Sequence, residues 1–223
     1  SNAHGHFDSA AATITIENVK WIHSSWPDYK EMPAYSTLGP DGTVYITTFD
    51  DVTRFGPDDW CCGTPPGFLV ALNPADGTEK WHIDLGHSAP PAVAADGTVY
   101  TSIENKFYAV NPATGAMTLI LTADHNLTSS PAIATDGTAY IGAGQKLLAI
   151  DPVNKVLKWQ APTDKFVVFH PSIGADGTIF VVPWAFSSRM YAFYATTGVT
   201  KWVAEIPGRF STPPAIGESG TIY

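Results

Sequence analysis

Asp136-Gly137-Thr138-Ala139-Tyr140, followed at residues 148–159 by Leu-Ala-Ile-Asp-Pro-Val-Asn-Lys-Val-Leu-Lys-Trp, is one unit of a tandem repeat. Its first element returns at Asp41 to Tyr45, Asp96 to Tyr100 and Asp176 to Phe180, and as Ser219-Gly220-Thr221-Ile222-Tyr223. Pro91, Pro131, Pro171 and Pro214 stand five residues before four of these copies, and Ser36 stands there in the first. The second element recurs at Val70 to Trp81, Tyr108 to Leu119 and Tyr191 to Trp202. Ala71, Ala109, Ala149 and Ala192 each precede Trp81, Leu119, Trp159 and Trp202 by ten residues. Several features moving together at a period of about 40 residues mark a repeat architecture.

Each unit holds short apolar runs separated by turn signals. Asp-Gly between two strand-like runs predicts a hairpin with a type I′ turn, which needs positive φ at both central residues. Asn-Pro-Ala-x-Gly before the last run marks a second tight turn. No stretch of useful length has helical periodicity. Four short antiparallel strands per 40 or so residues describe the blades of a propeller.

The balance of the chain agrees. Its 223 residues include 19 Gly and 18 Pro, with 44% hydrophobic and 15% charged residues. The charged share falls below the usual quarter or so. With 12 Lys+Arg against 21 Asp+Glu, the net charge of −9 is a poor basis for gripping phosphate backbones. No apolar run reaches the roughly 20 residues of a membrane-spanning helix. Ser1-Asn2-Ala3 has the form of an expression-tag scar and is set aside. Residues 4–223 read as one domain of about four full repeats and one split or incomplete blade.

The unit Ser-x-Pro-Ala, Asp-Gly-Thr-Val-Tyr, Ala-Leu-Asn-Pro-x-x-Gly-x-x-Lys-Trp resembles the repeat of the pyrroloquinoline-quinone-type (PQQ-like) β-propellers. That family includes quinoprotein alcohol dehydrogenases and BamB-like propellers. The resemblance implies an all-β propeller, partial or complete, built of four-stranded antiparallel blades. It also implies that Trp81, Trp159 and Trp202, with Trp21 as a fourth, end outer strands and dock on the next blade. Leu119 departs from this pattern, and so does Tyr194 at the Asp/Asn position. The family's rings have seven or eight blades, so the chain reads as a partial propeller, and an open ring is expected to self-associate.

Antiparallel connectivity puts the Asp-Gly-Thr and Asn-Pro-x-x-Gly turns on one face and all variable loops on the other. Asp96 to Ala109 and Asp136 to Ala149 each span 13 residues, whereas Asp176 to Ala192 spans 16 and Asp41 to Ala71 spans 30. The long first loop carries Arg54, Trp60, Cys61 and Cys62, and the fourth carries Trp184, Phe186 and Arg189. Connections between units add His87, His125, His170 and Arg209. Loops carry function on a scaffold that carries stability, so these eleven residues form the candidate binding face.

Cys61-Cys62 is open to three readings: a strained vicinal disulfide, two loop thiols or metal ligands. Asp50, Asp51, Asp58 and Asp59 lack the spacing of a calcium loop and read as a solvated acidic segment. The seven histidines show no paired ligand pattern, and no nucleophile-elbow or phosphate-loop motif occurs. The expectation is a non-catalytic binding or scaffold module, without cofactor, that presents its variable loops to a protein or other ligand. No nucleic-acid partner is expected. The resemblance keeps one alternative, a PQQ- and calcium-dependent alcohol dehydrogenase or a fragment of one, and the loop aromatics alone keep another, a polysaccharide- or cell-wall-binding ectodomain. The resemblance points to a periplasmic or extracellular location in a bacterium.

Overall fold

A computed structural model of the chain describes residues 32–49, 67–86, 89–184, 189–206, 212–217 and 219–223. The described chain forms four antiparallel sheets of four strands each, taken in sequence order. The first holds β1 (Met32–Leu38), β2 (Val44–Phe49), β3 (Gly67–Leu72) and β4 (Glu79–Gly86). The second holds β5 (Ala92–Val93), β6 (Val99–Ile103), β7 (Lys106–Val110) and β8 (Met117–Thr122). The third holds β9 (Ala132–Ile133), β10 (Ala139–Gly142), β11 (Lys146–Asp151) and β12 (Val156–Pro162). The fourth holds β13 (Ser172–Ile173), β14 (Thr178–Val181), β15 (Arg189–Tyr194) and β16 (Thr200–Glu205). A further hairpin begins where Ile216 bridges Ile222 and Ala215 and Tyr223 exchange two backbone hydrogen bonds.

The middle strands are the most buried, because they meet other sheets on both faces. Apolar layers fill the seams between sheets. Tyr45, Leu69, Ala71 and Trp81 pack with Val99 and Val110 between the first and second. Tyr100, Phe107 and Ile120 pack with Ile141, Leu148 and Ile150 between the second and third. Tyr140, Leu147 and Ala149 pack with Ile179, Tyr191 and Phe193 between the third and fourth. Continuous apolar runs in β10, β11 and β14 follow from this two-sided burial.

The Asp-Gly-Thr hairpins differ from the expected type I′ turn. Only the glycine has positive φ, 89° at Gly97 and 83° at Gly137, while the aspartates keep ordinary backbone. Ala94 N–H donates to Thr98 O at 2.9 Å and Gly97 N–H to Ala94 O at 2.9 Å, which makes a three-residue loop ending in a left-handed glycine. This is a type I turn with a glycine bulge. The aspartate side chain caps it: Asp176 Oδ1 accepts from Thr178 N–H at 3.0 Å, and Oδ2 accepts from Thr178 Oγ1 at 2.8 Å.

Three sheets share a brace that the fourth-strand bulge creates. On β4, β12 and β16 a register shift beside the tryptophan leaves the adjacent lysine unpaired: Lys80, Lys158 and Lys201; β4 has a second shift that leaves out Leu85. The freed lysine crosses the sheet and donates to Thr43, Thr138 and Thr178 Oγ1 at 3.0, 2.9 and 2.9 Å. Asp41, Asp136 and Asp176 lie 3.7, 3.7 and 3.0 Å from the same ammonium groups. The second sheet has Thr118 in place of that lysine, and its bulge falls on Ile120. Leu119 therefore does not occupy the spatial position of the tryptophans: Ile120 is buried and Leu119 is 45% exposed.

The indoles meet their neighbours in two seams. Trp81 Nε1–H donates to Pro112 O at 2.9 Å, and its ring lies against Gly115, where a Cβ would stand 3.0 Å away. Trp159 Nε1–H donates to Ala195 O at 2.8 Å, and a Cβ at Gly198 would stand 2.5 Å from its ring. Both glycines have positive φ, 74° and 69°. At the matching position of the third sheet stands Lys155, with φ 57°. Trp202 keeps 37% of its surface exposed, unlike Trp81 at 9%.

Candidate functional site

Antiparallel meanders send the β2–β3, β6–β7, β10–β11 and β14–β15 connections, and the links between sheets, to one end. Arg54, Trp60, Cys61, Cys62, His87, Phe186 and Arg209 fall outside the described residues. His125, His170, Trp184 and Arg189 lie within them.

Trp184 and Arg189 each attach to the link between the third and fourth sheets. The link between these sheets, residues 163–171, folds over the start of β15. Trp184 N–H donates to Phe166 O at 2.8 Å, and Asp164 N–H donates to Tyr191 Oη at 3.2 Å. The Arg189 guanidinium faces Asp164 at 3.9 Å and Glu205 at 3.3 Å. Bonds to Tyr191 and Glu205 and the charges of Glu205 and Asp164 raise its pKa above the ordinary arginine value. It is a fixed cation. Burial is the chief cause that raises the Tyr191 phenol. Phe166 is 46% exposed, Arg189 is exposed and Trp184 is half-buried. The link thus brings Asp164 to a permanently charged guanidinium that Glu205 also faces, and it carries or bonds two aromatic residues, Phe166 and Trp184.

His125 belongs to a different seam. It stands over the backbone of Gly144, between the second and third sheets, with Lys146 held near Asp124 at 3.4 Å and Gln160 at 3.2 Å. Beneath these polar groups an open crevice is walled by Leu121, Leu148 and Leu157. His170 stands in the link before β13. It is exposed, yet partial desolvation lowers its imidazole below the usual histidine value. The two histidines do not form a pair, and among the described residues no three His, Cys, Asp or Glu side chains are placed to hold a metal ion.

Sequence reading passed over Asp164, Tyr191 and Glu205, the groups that fix Arg189. They sit in three separate segments, and only the pairing of β15 with β16 and the fold of the intersheet link unite them. One signal was present: Arg189 and Glu205 close the two ends of consecutive strand-like runs, a cross-strand pair once the register is known.

A family model described as outer membrane protein assembly factor BamB, of the PQQ-like repeat type, matches residues 66–212. The chain belongs to this family. Among solved structures, BamB from Moraxella catarrhalis is 18% identical, with a TM-score of 0.57 over 79% of this chain and 53% of that one. Hydrazine synthase from Kuenenia stuttgartiensis is 15% identical, with a TM-score of 0.60 over 84% of this chain and 53% of that one. These likenesses establish the β-propeller fold, and the chain spans about half the length of either structure. Comparison with curated proteins gives no match. No helix among the described residues is long and apolar enough to cross a membrane. Membership of a BamB-like family fits a scaffold or protein-binding module.

Proposed function

We propose that this chain is a non-catalytic, protein-binding propeller segment of the bacterial periplasm, and that its loop face receives the partner. The observation that carries this reading is the Arg189 cluster. A guanidinium held by Asp164 and Glu205, on an intersheet link that also carries the exposed Phe166 and bonds the backbone of Trp184, has the composition of an interaction hot spot. It sits where two rigid sheets meet, so it is held in place before binding, which lowers the ordering cost. The relative named as an outer-membrane assembly factor supports a periplasmic partner protein. In the same reading, Trp81 and Trp159 serve as the tryptophan docking contacts of the family, keeping the loop ends of successive sheets at fixed spacing.

The test is site-specific photocrosslinking from position 166 in an envelope extract, with identification of the crosslinked protein by mass spectrometry. A discrete partner is expected, lost with Arg189→Glu and with Trp184→Ala. A crosslinking pattern indifferent to both substitutions would refute the assignment of the face. Adding PQQ and calcium to the pure chain is expected to give neither a bound-quinone absorbance band nor alcohol-dependent dye reduction. Appearance of both would make the enzyme reading the correct one.

A further inference from the structure

The outer edge of the second sheet is built differently from the other three. β4 carries Glu79, Lys80 and Asp84; β12 carries Lys158 and ends on Pro162; β16 carries Lys201 and Glu205. β8, Met-Thr-Leu-Ile-Leu-Thr, has neither a charge nor a proline. Proteins guard edge strands with lysine, proline and bulges, because an unguarded edge presents a row of main-chain donors and acceptors to any extended chain. A short run of high β-propensity without charge is the sequence form of such a template.

Structure reinforces the contrast. β8 pairs with β7 on one side and with no strand on the other among the described residues. Its bulge lies at Ile120, so Met117, Thr118 and Leu119 run in regular register with Val110, Ala109 and Tyr108. In the other sheets the lysine bulge interrupts that same stretch. Thr118, Leu119 and Thr122 are exposed. Beside the edge lies the crevice between Leu121 and Leu157, the latter 40% exposed, with no indole among the described residues at the rim of this seam.

We propose that β8 is a strand-addition edge for an extended segment of another protein, alternately apolar and neutral to basic. Main-chain bonds to Met117–Thr122 supply the pairing, and one apolar side chain enters the crevice beside Leu121 and Leu157. The net charge of −9 sets a second copy of the chain against itself and favours a segment without negative charge. This surface lies on the rim, distinct from the Arg189 cluster among the loops.

The probe is a capped synthetic octapeptide, Lys-Thr-Val-Thr-Val-Thr-Val-Lys, with a version bearing Glu at both ends as comparison. Binding to the full chain is followed by fluorescence anisotropy, and the site is located by amide hydrogen exchange. Protection confined to β8 is expected, with Leu119→Lys and, separately, Thr118→Lys weakening the peptide by about tenfold or more. Val203→Lys on β16 and Arg189→Glu on the loop face are expected to leave affinity unchanged. Both lysine variants replace exposed side chains, and their circular dichroism reports whether the fold is kept. Equal protection of all four outer strands, or tighter binding of the acidic peptide, would overturn the proposal. So would protection of β8 without peptide, accompanied by a doubling of particle mass.

Discussion

The seam between the first and second sheets and the seam between the second and third solve one problem in two ways. In the first, Trp81 lies on Gly115 and bonds to Pro112 O. In the second, Ile120 turns inward, Leu119 turns outward and Lys155 takes the place of the glycine. Tryptophan and glycine therefore behave as one unit split across two sheets. The ring needs a partner without a Cβ, and the left-handed backbone beneath it is the conformation glycine adopts at least cost. Where the ring is missing, that steric demand disappears and a lysine can occupy the position despite its positive φ.

Substitutions can break or sharpen this contrast. The largest effect is expected from Trp159→Ala, which removes a half-buried indole and its bond to Ala195 O: about 3 kcal/mol. Urea denaturation followed by fluorescence and hydrogen exchange should show the third–fourth seam weakened first. Gly198→Ala comes next, at about 2 kcal/mol, since the added methyl would meet the Trp159 ring and would sit at φ 69°. Ala at position 155 meets no indole, so Lys155→Ala should leave the unfolding free energy from urea titration within about 0.5 kcal/mol of the parent.

Leu119→Trp alone is expected to yield no stabilisation. Its combination with Lys155→Gly tests the pairing by a double-mutant cycle, and a favourable coupling of about 1 kcal/mol is expected if the ring can reach the second seam. The displaced bulge makes the opposite result informative too. Zero coupling would place control in the register of β8 and remove the ring-and-glycine rule from this seam.

The smallest effect is electrostatic. Bonds from Thr178, then from Lys201, lower Asp176 from 3.8 to about 2. Because the folded-state value lies below the unfolded one, the bond network stabilises above about pH 4. That contribution fades as pH falls from there towards 2. Asp176→Asn should flatten this part of the pH dependence of the urea midpoint. Asp96→Asn, in the sheet that lacks the lysine brace, should lower stability at neutral pH less than Asp176→Asn does.

Much of the fold was legible because a repeat exposes its own rules. The recurrence of Asp-Gly-Thr located the hairpin between the first two strands of each described sheet, and Lys-Trp located the outer strands of three of them. The turn type was not legible, since Asp-Gly serves both a two-residue and a three-residue loop, and only the bonds from Ala94 and Gly97 decide which. Nor was the fate of Leu119. Aligned by sequence it replaces a tryptophan, but cross-strand pairing moves the unpaired residue from the Lys80 position to Ile120. Trp184 and Arg189 were legible as members of a variable face. The hold of Asp164 on Arg189 and of Phe166 on Trp184 was not, because contacts between distant loops leave no local pattern.

The lysine brace has a consequence for how such a chain can change. Each braced sheet settles its own edge and its own turn internally, and asks of the next an apolar face with, for the indole, a flat spot and a carbonyl. A cassette cut between one left-handed glycine and the next indole would carry half of each joint, so blades can be shuffled, duplicated or lost provided the two halves that meet are of matching kind.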